Sequence, residues 1–215
     1  MKQLMLLEAA TPKELYEKVQ EVGGEMLSMK ELMKVRTQTA TEAAAELFAS
    51  GIEEPDLPLC LSQALRDYLV WNERLTTNTH MIRIQGGYQF VECGTNGLDF
   101  KDIIDGGVRY PFMEGGRFLN EDTYNAHPGG TYPVSQWARH PVLRKAVGSD
   151  HVLNAYSTIV YSLSNARFNS PGKESIWCPQ ALEQGTGRAW ALGMGADAAY
   201  PPNNTTRGHW TVLRK

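Results

Sequence analysis

The sequence predicts an α+β protein: a region of about four helices over residues 1–77, packed on an antiparallel sheet with long glycine- and aromatic-rich loops over residues 78–215. The two parts are expected to form one continuous domain. Three observations lead there. Capping signals and apolar residues at helical spacing recur through residues 1–77. Only Gly23, Gly24 and Gly51 of the chain's 20 glycines fall in that stretch, so turn formers concentrate beyond it. Beyond it, apolar and polar side chains alternate on either side of a glycine pair, and helices precede strands instead of alternating with them as βαβ units do.

Thr11-Pro12-Lys13-Glu14 combines an N-cap threonine, a proline at the first helical position and a glutamate at N3, which together satisfy the free amides of a helix start. The helix should run to about Val22, with Leu15, Val19 and Val22 as its stripe and Gly23-Gly24 as its stop. A second helix is expected from about Glu25 to Val35, where Met26, Met29 and Met33 read as core filler. Thr39-Ala40-Thr41-Glu42 is another capping box and opens an alanine-rich third helix that Gly51 ends. Pro55 and Pro58 bracket a linker, followed by a long fourth helix from about Pro58 to Leu75. Leu59, Leu61, Leu65, Leu69, Val70 and Trp71 cover more than one of its stripes, so this helix should be the central element, between the N-terminal helices and the strands of Ile82, Ile84 and Phe90.

The second part opens with His80-Met81-Ile82-Arg83-Ile84-Gln85, then Gly86-Gly87, then Tyr88-Gln89-Phe90-Val91-Glu92, the pattern of a hairpin. Asp99 to Asp105 reads as a short helix. From Gly106 to Pro133 periodicity is nearly lost, with Tyr110, Phe112, Phe118, Tyr124 and Tyr132 set among glycine pairs, so a long loop is expected. Pro141 starts a short helix that Gly148 stops. Asp150 caps a segment whose Val152, Leu153, Tyr156, Ile159, Val160 and Leu163 fit a helix stripe better than a strand. Ser175 to Cys178, Arg188 to Met194 and Gly208 to Leu213 are the remaining strands.

A net charge of −3 and a mean hydropathy of −0.37 exclude general polyanion binding, and 42% hydrophobic residues suffice for a core. Residues 1–77 carry the acidic excess, which a solvated helical face explains. No apolar run is long enough to span a membrane, and Glu8 interrupts Met1 to Leu7 too early for a signal-peptide core, so an intracellular location, or a virion, is expected. Cys60, Cys93 and Cys178 are odd in number and lack CxxC spacing, which speaks against a disulfide framework and a zinc site. The histidines, His80, His127, His140, His151 and His209, show no metal-ligand spacing, and neither metal nor cofactor is expected.

Few residue sets carry chemistry. Cys178 with His209 has the elements of a nucleophile and base for a hydrolase. Glu121, Asp122 and His127 could serve as an acid–base group, although loop polar residues more often form turns. Gly185-Thr186-Gly187-Arg188 lacks the lysine and the strand-to-helix setting of a phosphate cradle. Arg83, Ser157-Thr158 and Glu183 follow one another in an order similar to that of mono-ADP-ribosyltransferases, which implies a transferase with those residues at its site. The arginine lacks that family's aromatic-Arg-Gly context, and Glu183 lacks a Glu or Gln two residues earlier.

The composition of residues 78–215 points elsewhere. Trp137, Trp177, Trp190 and Trp210 stand among many tyrosines and few charges, as at protein contacts. Arginines near these aromatics are interspersed with acids, so nucleic acid is not the expected partner. The first expectation is a non-enzymatic structural or assembly protein, such as a viral (phage) particle component, meeting protein partners as a homo-oligomer or larger assembly through its long loops and an arm from Tyr200 to Lys215. The alternative is an enzyme, by either the Arg83, Ser157, Glu183 or the Cys178, His209 set.

Overall fold

The computed structural model describes residues 4–10, 12–65, 68, 75–92, 117–127, 131–168, 175–177, 189–194 and 209–214. Strand β1 (Leu4–Ala9) comes first, where no strand was expected. Helix α1 (Pro12–Val22) follows as expected, with Glu14 accepting the Ala10 amide at 3.1 Å and Gly23, at φ 68°, ending it.

The next helix corrects the expectation of two. After β2 (Glu25–Met26), one helix, α2 (Met29–Ala49), runs through the whole stretch. Its cap is Ser28, whose hydroxyl accepts the Glu31 amide while the Glu31 carboxylate accepts the Ser28 amide at 2.9 Å. The Thr39 hydroxyl instead donates back to the Val35 carbonyl within the helix, at 2.9 Å. The expected helix to Leu75 is also shorter: α3 spans Leu57–Ala64, and Leu75 already begins a strand.

The hairpin is present as β3 (Leu75–Ile84) and β4 (Gly87–Glu92), turning at Gly86 with φ 81°. Within the expected loop from Gly106 to Pro133 the described residues form β5 (Arg117–Asn120), α4 (Glu121–Ala126) and β6 (Thr131–Pro133). Short α5 (Val134–Trp137) leads to α6 (Pro141–Val147), stopped by Gly148 at φ 64°, and to α7 (Asp150–Phe168). Among the described residues three strands follow: β7 (Ser175–Trp177), β8 (Ala189–Met194) and β9 (His209–Arg214). The expected helix at Asp99 to Asp105 lies outside the described residues.

These elements make a mixed α+β structure with a larger sheet ordered β1-β9-β3-β4-β5, β2 joining at β9 and β8 at β3. A second, small sheet pairs β6 with β7. Neighbours in the larger sheet are antiparallel except β3 and β9, which run parallel. Of the expected arm from Tyr200 to Lys215, His209–Arg214 instead form β9 inside the sheet, between β1 and β3, and the rest lies outside the described residues. The described strands also begin at Leu4, within the stretch expected to be helical.

Helices cover both faces unequally. On one face, α2, α3, α5, α6 and α7 bury Leu32, Met33, Leu61, Leu65, Leu143, Leu153 and Tyr156 against Met81, Phe90 and Val212 of the sheet. On the other face, α1 lays Val19 and Val22 against Met26, Leu213, Met5 and Leu7. Met26, Met29 and Met33 are all buried. Among the described residues no helix is long and apolar enough to cross a membrane.

Candidate functional site

Strand β3 carries an unusual run: Thr77, Asn78, Thr79 and His80 are polar and all buried. Alternate residues of a strand point to opposite faces, so the run serves two environments. Thr79 faces the helical layer, where its hydroxyl accepts the Met29 amide at 2.9 Å and fixes the start of α2 to the sheet. Asn78 and His80 lie on the opposite face, joined there by Gln89 and Val91 of β4 through the register His80↔Val91 and Ile82↔Gln89. Gln89 and Val91 are buried as well.

The electrostatics of this row are those of neutral hydrogen-bonding groups. Burial pushes the His80 pKa down to about 4, against the opposing effect of its bond to the Asn78 carbonyl. His80 Nδ1 lies 2.8 Å from that carbonyl oxygen. A carbonyl only accepts, so Nδ1 carries the ring proton and Nε2 has the lone pair. Asn78 Oδ1 is buried and has no hydrogen-bond donor among the described residues. A histidine at this pKa is a weak base at neutral pH.

Topology concentrates chain connections beside this row. Leu75 has Met194, the end of β8, on one edge and Trp210, near the start of β9, on the other. Thr79 lies opposite Glu92, where β4 ends. The segments 69–74, 93–116 and 195–208 thus all join the framework around the first half of β3.

The residues singled out in the sequence lie mostly elsewhere. Arg83 is at the far end of β3, half-exposed, and ion-paired with Glu121 at 2.7 Å. Ser157 is in the middle of α7, buried, and donates its hydroxyl to the Leu153 carbonyl at 2.6 Å. Glu183 and Cys178 lie outside the described residues, as does the side chain of His209 at the start of β9. His127 meets the Thr123 carbonyl at 3.2 Å and sets its ring edge-on to His140, centroids 6.0 Å apart. Among the described residues no cluster of three or more His, Cys, Asp or Glu could hold a metal.

One aromatic expected at a contact surface is instead core. Trp137 is buried and stacks on Tyr156 with centroids 6.2 Å apart. The Tyr156 hydroxyl in turn accepts from Arg36 Nη1 at 3.1 Å, and Arg36 is wholly buried. Neither the β3 row nor this Arg36 cluster was singled out in the sequence; the threonines at 76, 77 and 79, β-branched and lying between Leu75 and Met81, were the signal for the first.

Comparison with known proteins adds the fold. A solved structure from work on the accommodation of massive sequence variation in Nanoarchaeota by the C-type lectin fold matches 99% of this chain and 98% of its own, at TM-score 0.53 and 15% identity. The chain is thus similar in fold to that C-type lectin-like protein. No protein-family model matches the sequence, and no curated protein does.

Proposed function

We propose that the chain is a non-enzymatic binding and assembly protein. In this reading a C-type-lectin-like framework presents the segments 93–116 and 195–208 to protein partners within a larger assembly, and a viral particle is the setting its composition suggests. The observation that carries the reading is a fold kept over 99% of the chain at 15% identity. A framework that holds its path while most side chains change suits a scaffold with an adaptable surface better than a catalytic site, which needs fixed groups in fixed geometry.

Two further observations support it. The described strands next to the two segments, β4, β8 and β9, all pair with β3, which has strands on both edges. Their composition suits contact surfaces: Phe100, Tyr110 and Phe112 in the first, and Tyr200, Pro201, Pro202, Asn203 and Asn204 with few charges in the second.

Hydrogen exchange measured on the isolated protein and on the protein in its native assembly tests the proposal. Amides in 93–116 and 195–208 should slow on assembly while those of β3 stay constant. Equal exchange of both segments in the two states would overturn it.

A further inference from the structure

The outer edge of β1 has a definable hydrogen-bonding pattern. The Leu27 amide donates to the Val212 carbonyl at 3.1 Å, so that carbonyl points toward β2 and away from β1. Opposed residues of an antiparallel pair either both face each other or both face outward. Leu6 is opposite Val212, so its own N–H and C=O point away from the sheet. By the same alternation so do those of Leu4 and Glu8, and the Glu8 carbonyl accepts Lys18 Nζ at 2.8 Å.

Apart from Glu8 and from Lys18, which reaches the Glu8 carbonyl, this edge holds few of the devices that blunt edge strands. The β1–β9 register runs from Leu4↔Arg214 to Ala9↔His209 without a bulge, and the strand contains no proline and no lysine. Leu4 is 46% exposed, and among the described residues no strand pairs with the outer side of β1.

We propose that this edge joins a second copy of the chain, antiparallel, across a two-fold axis at Leu6. The outward residues Leu4, Leu6 and Glu8 are symmetric about Leu6. In this register Leu6 meets Leu6 of the second copy and Leu4 meets Glu8, so the outward groups of Leu6 pair with each other and the Glu8 carbonyl, which accepts Lys18 Nζ on one lone pair, takes the Leu4 N–H of the second copy on the other. Glu8 never opposes Glu8, as it would if the axis lay at Glu8 itself. On the other face Met5 meets Leu7. The contact closes on itself, so it gives a dimer with one sheet continuous through both copies. The opposite edge of the sheet, β5, is only four residues long and starts with Arg117, a poor match for β1.

The contact rests on the assembly reading above by naming one of its interfaces. The two are read out separately, since exchange in 93–116 and 195–208 does not depend on β1. Sedimentation of the full chain between about 1 and 100 µM should show a monomer–dimer equilibrium. Leu4→Glu places like charges opposite at both ends of the contact and should raise the dimer Kd roughly tenfold. Adding Glu8→Lys to Leu4→Glu restores opposite charges across the axis and should return the dimer. Both positions are exposed, so the fold should tolerate the changes. A parent protein that stays monomeric over this range overturns the proposal, as does a dimer indifferent to Leu4→Glu or one that the added Glu8→Lys does not restore.

Discussion

His80 and Arg36 show how single buried polar residues set measurable properties of this protein. The folded-state pKa of His80, about 4, lies below the 6.5 of an exposed imidazole. Above pH 6.5 the ring is neutral in both states, and its contribution is complete. Between 6.5 and about 4 the unfolded chain takes up a proton that the folded one refuses, so stability falls as pH falls. The whole shift corresponds to about 3 kcal/mol. His140, lowered to about 4 by burial and then by the charge of His127, acts in the same window and direction. Urea unfolding should therefore give a lower midpoint at about pH 4.5 than at about pH 7, and His80→Gln should flatten part of that drop. A variant as acid-sensitive as its parent would show the ring is not the source. Arg36 offers a second measurement. Tyr156→Phe removes an acceptor from a wholly buried guanidinium and should cost about 1–3 kcal/mol, read as a shift in denaturant midpoint.

At the scale of elements, α2 separates two capping signals that look alike in sequence. Ser28 and Glu31 form the same Ser/Thr-x-x-Glu pattern as Thr39 and Glu42, but only Ser28 stands where the backbone is extended, at φ −68° and ψ 164°. Ser28→Ala should cost about 1 kcal/mol, whereas Thr39→Ala, at a residue that only bonds back along the helix, should be near neutral by thermal unfolding. Equal costs would place a second helix start at Thr39 after all. Much else was legible for physical reasons: α1, α6, α7 and the β3–β4 hairpin each carry a stop, a cap or an alternation that local chemistry alone enforces. The illegible elements are those whose environment is set from far away. Leu4–Leu7 reads as a continuous apolar run because Met5 and Leu7 pack toward α1 and Leu6 toward the main core, which removes the alternation that marks a strand. The β3 row failed to register as a site because its polar side chains signal a surface, while the structure buries them. Similarly, Trp137 reads as a contact residue until Tyr156, distant in sequence, stacks against it.

The whole molecule is tied together by its ends. Strand β9, the last described element, lies between β1, the first, and β3, in the middle of the chain. One buried cluster runs from Leu27 through Leu61, Leu65, Leu75 and Leu153 to Val212. A defect anywhere in that cluster is shared by helices from the first half of the chain and strands from the second. Leu65, at the C-terminal end of α3, is a direct probe because it is buried at the junction of α3 with the rest of the cluster. Leu65→Ala leaves a cavity that should cost about 2–5 kcal/mol. If residues 1–77 and 78–215 unfold as one unit, the loss appears as a single cooperative transition moved to lower denaturant, with amides of α2 and of β3–β4 losing protection by the same amount. Two transitions, with only the helical amides affected, would instead mean that β3 and its partners stay folded without the helices. The parallel pairing of β3 with β9 and the Thr79–Met29 bond, which crosses from sheet to helix, both argue for the single transition.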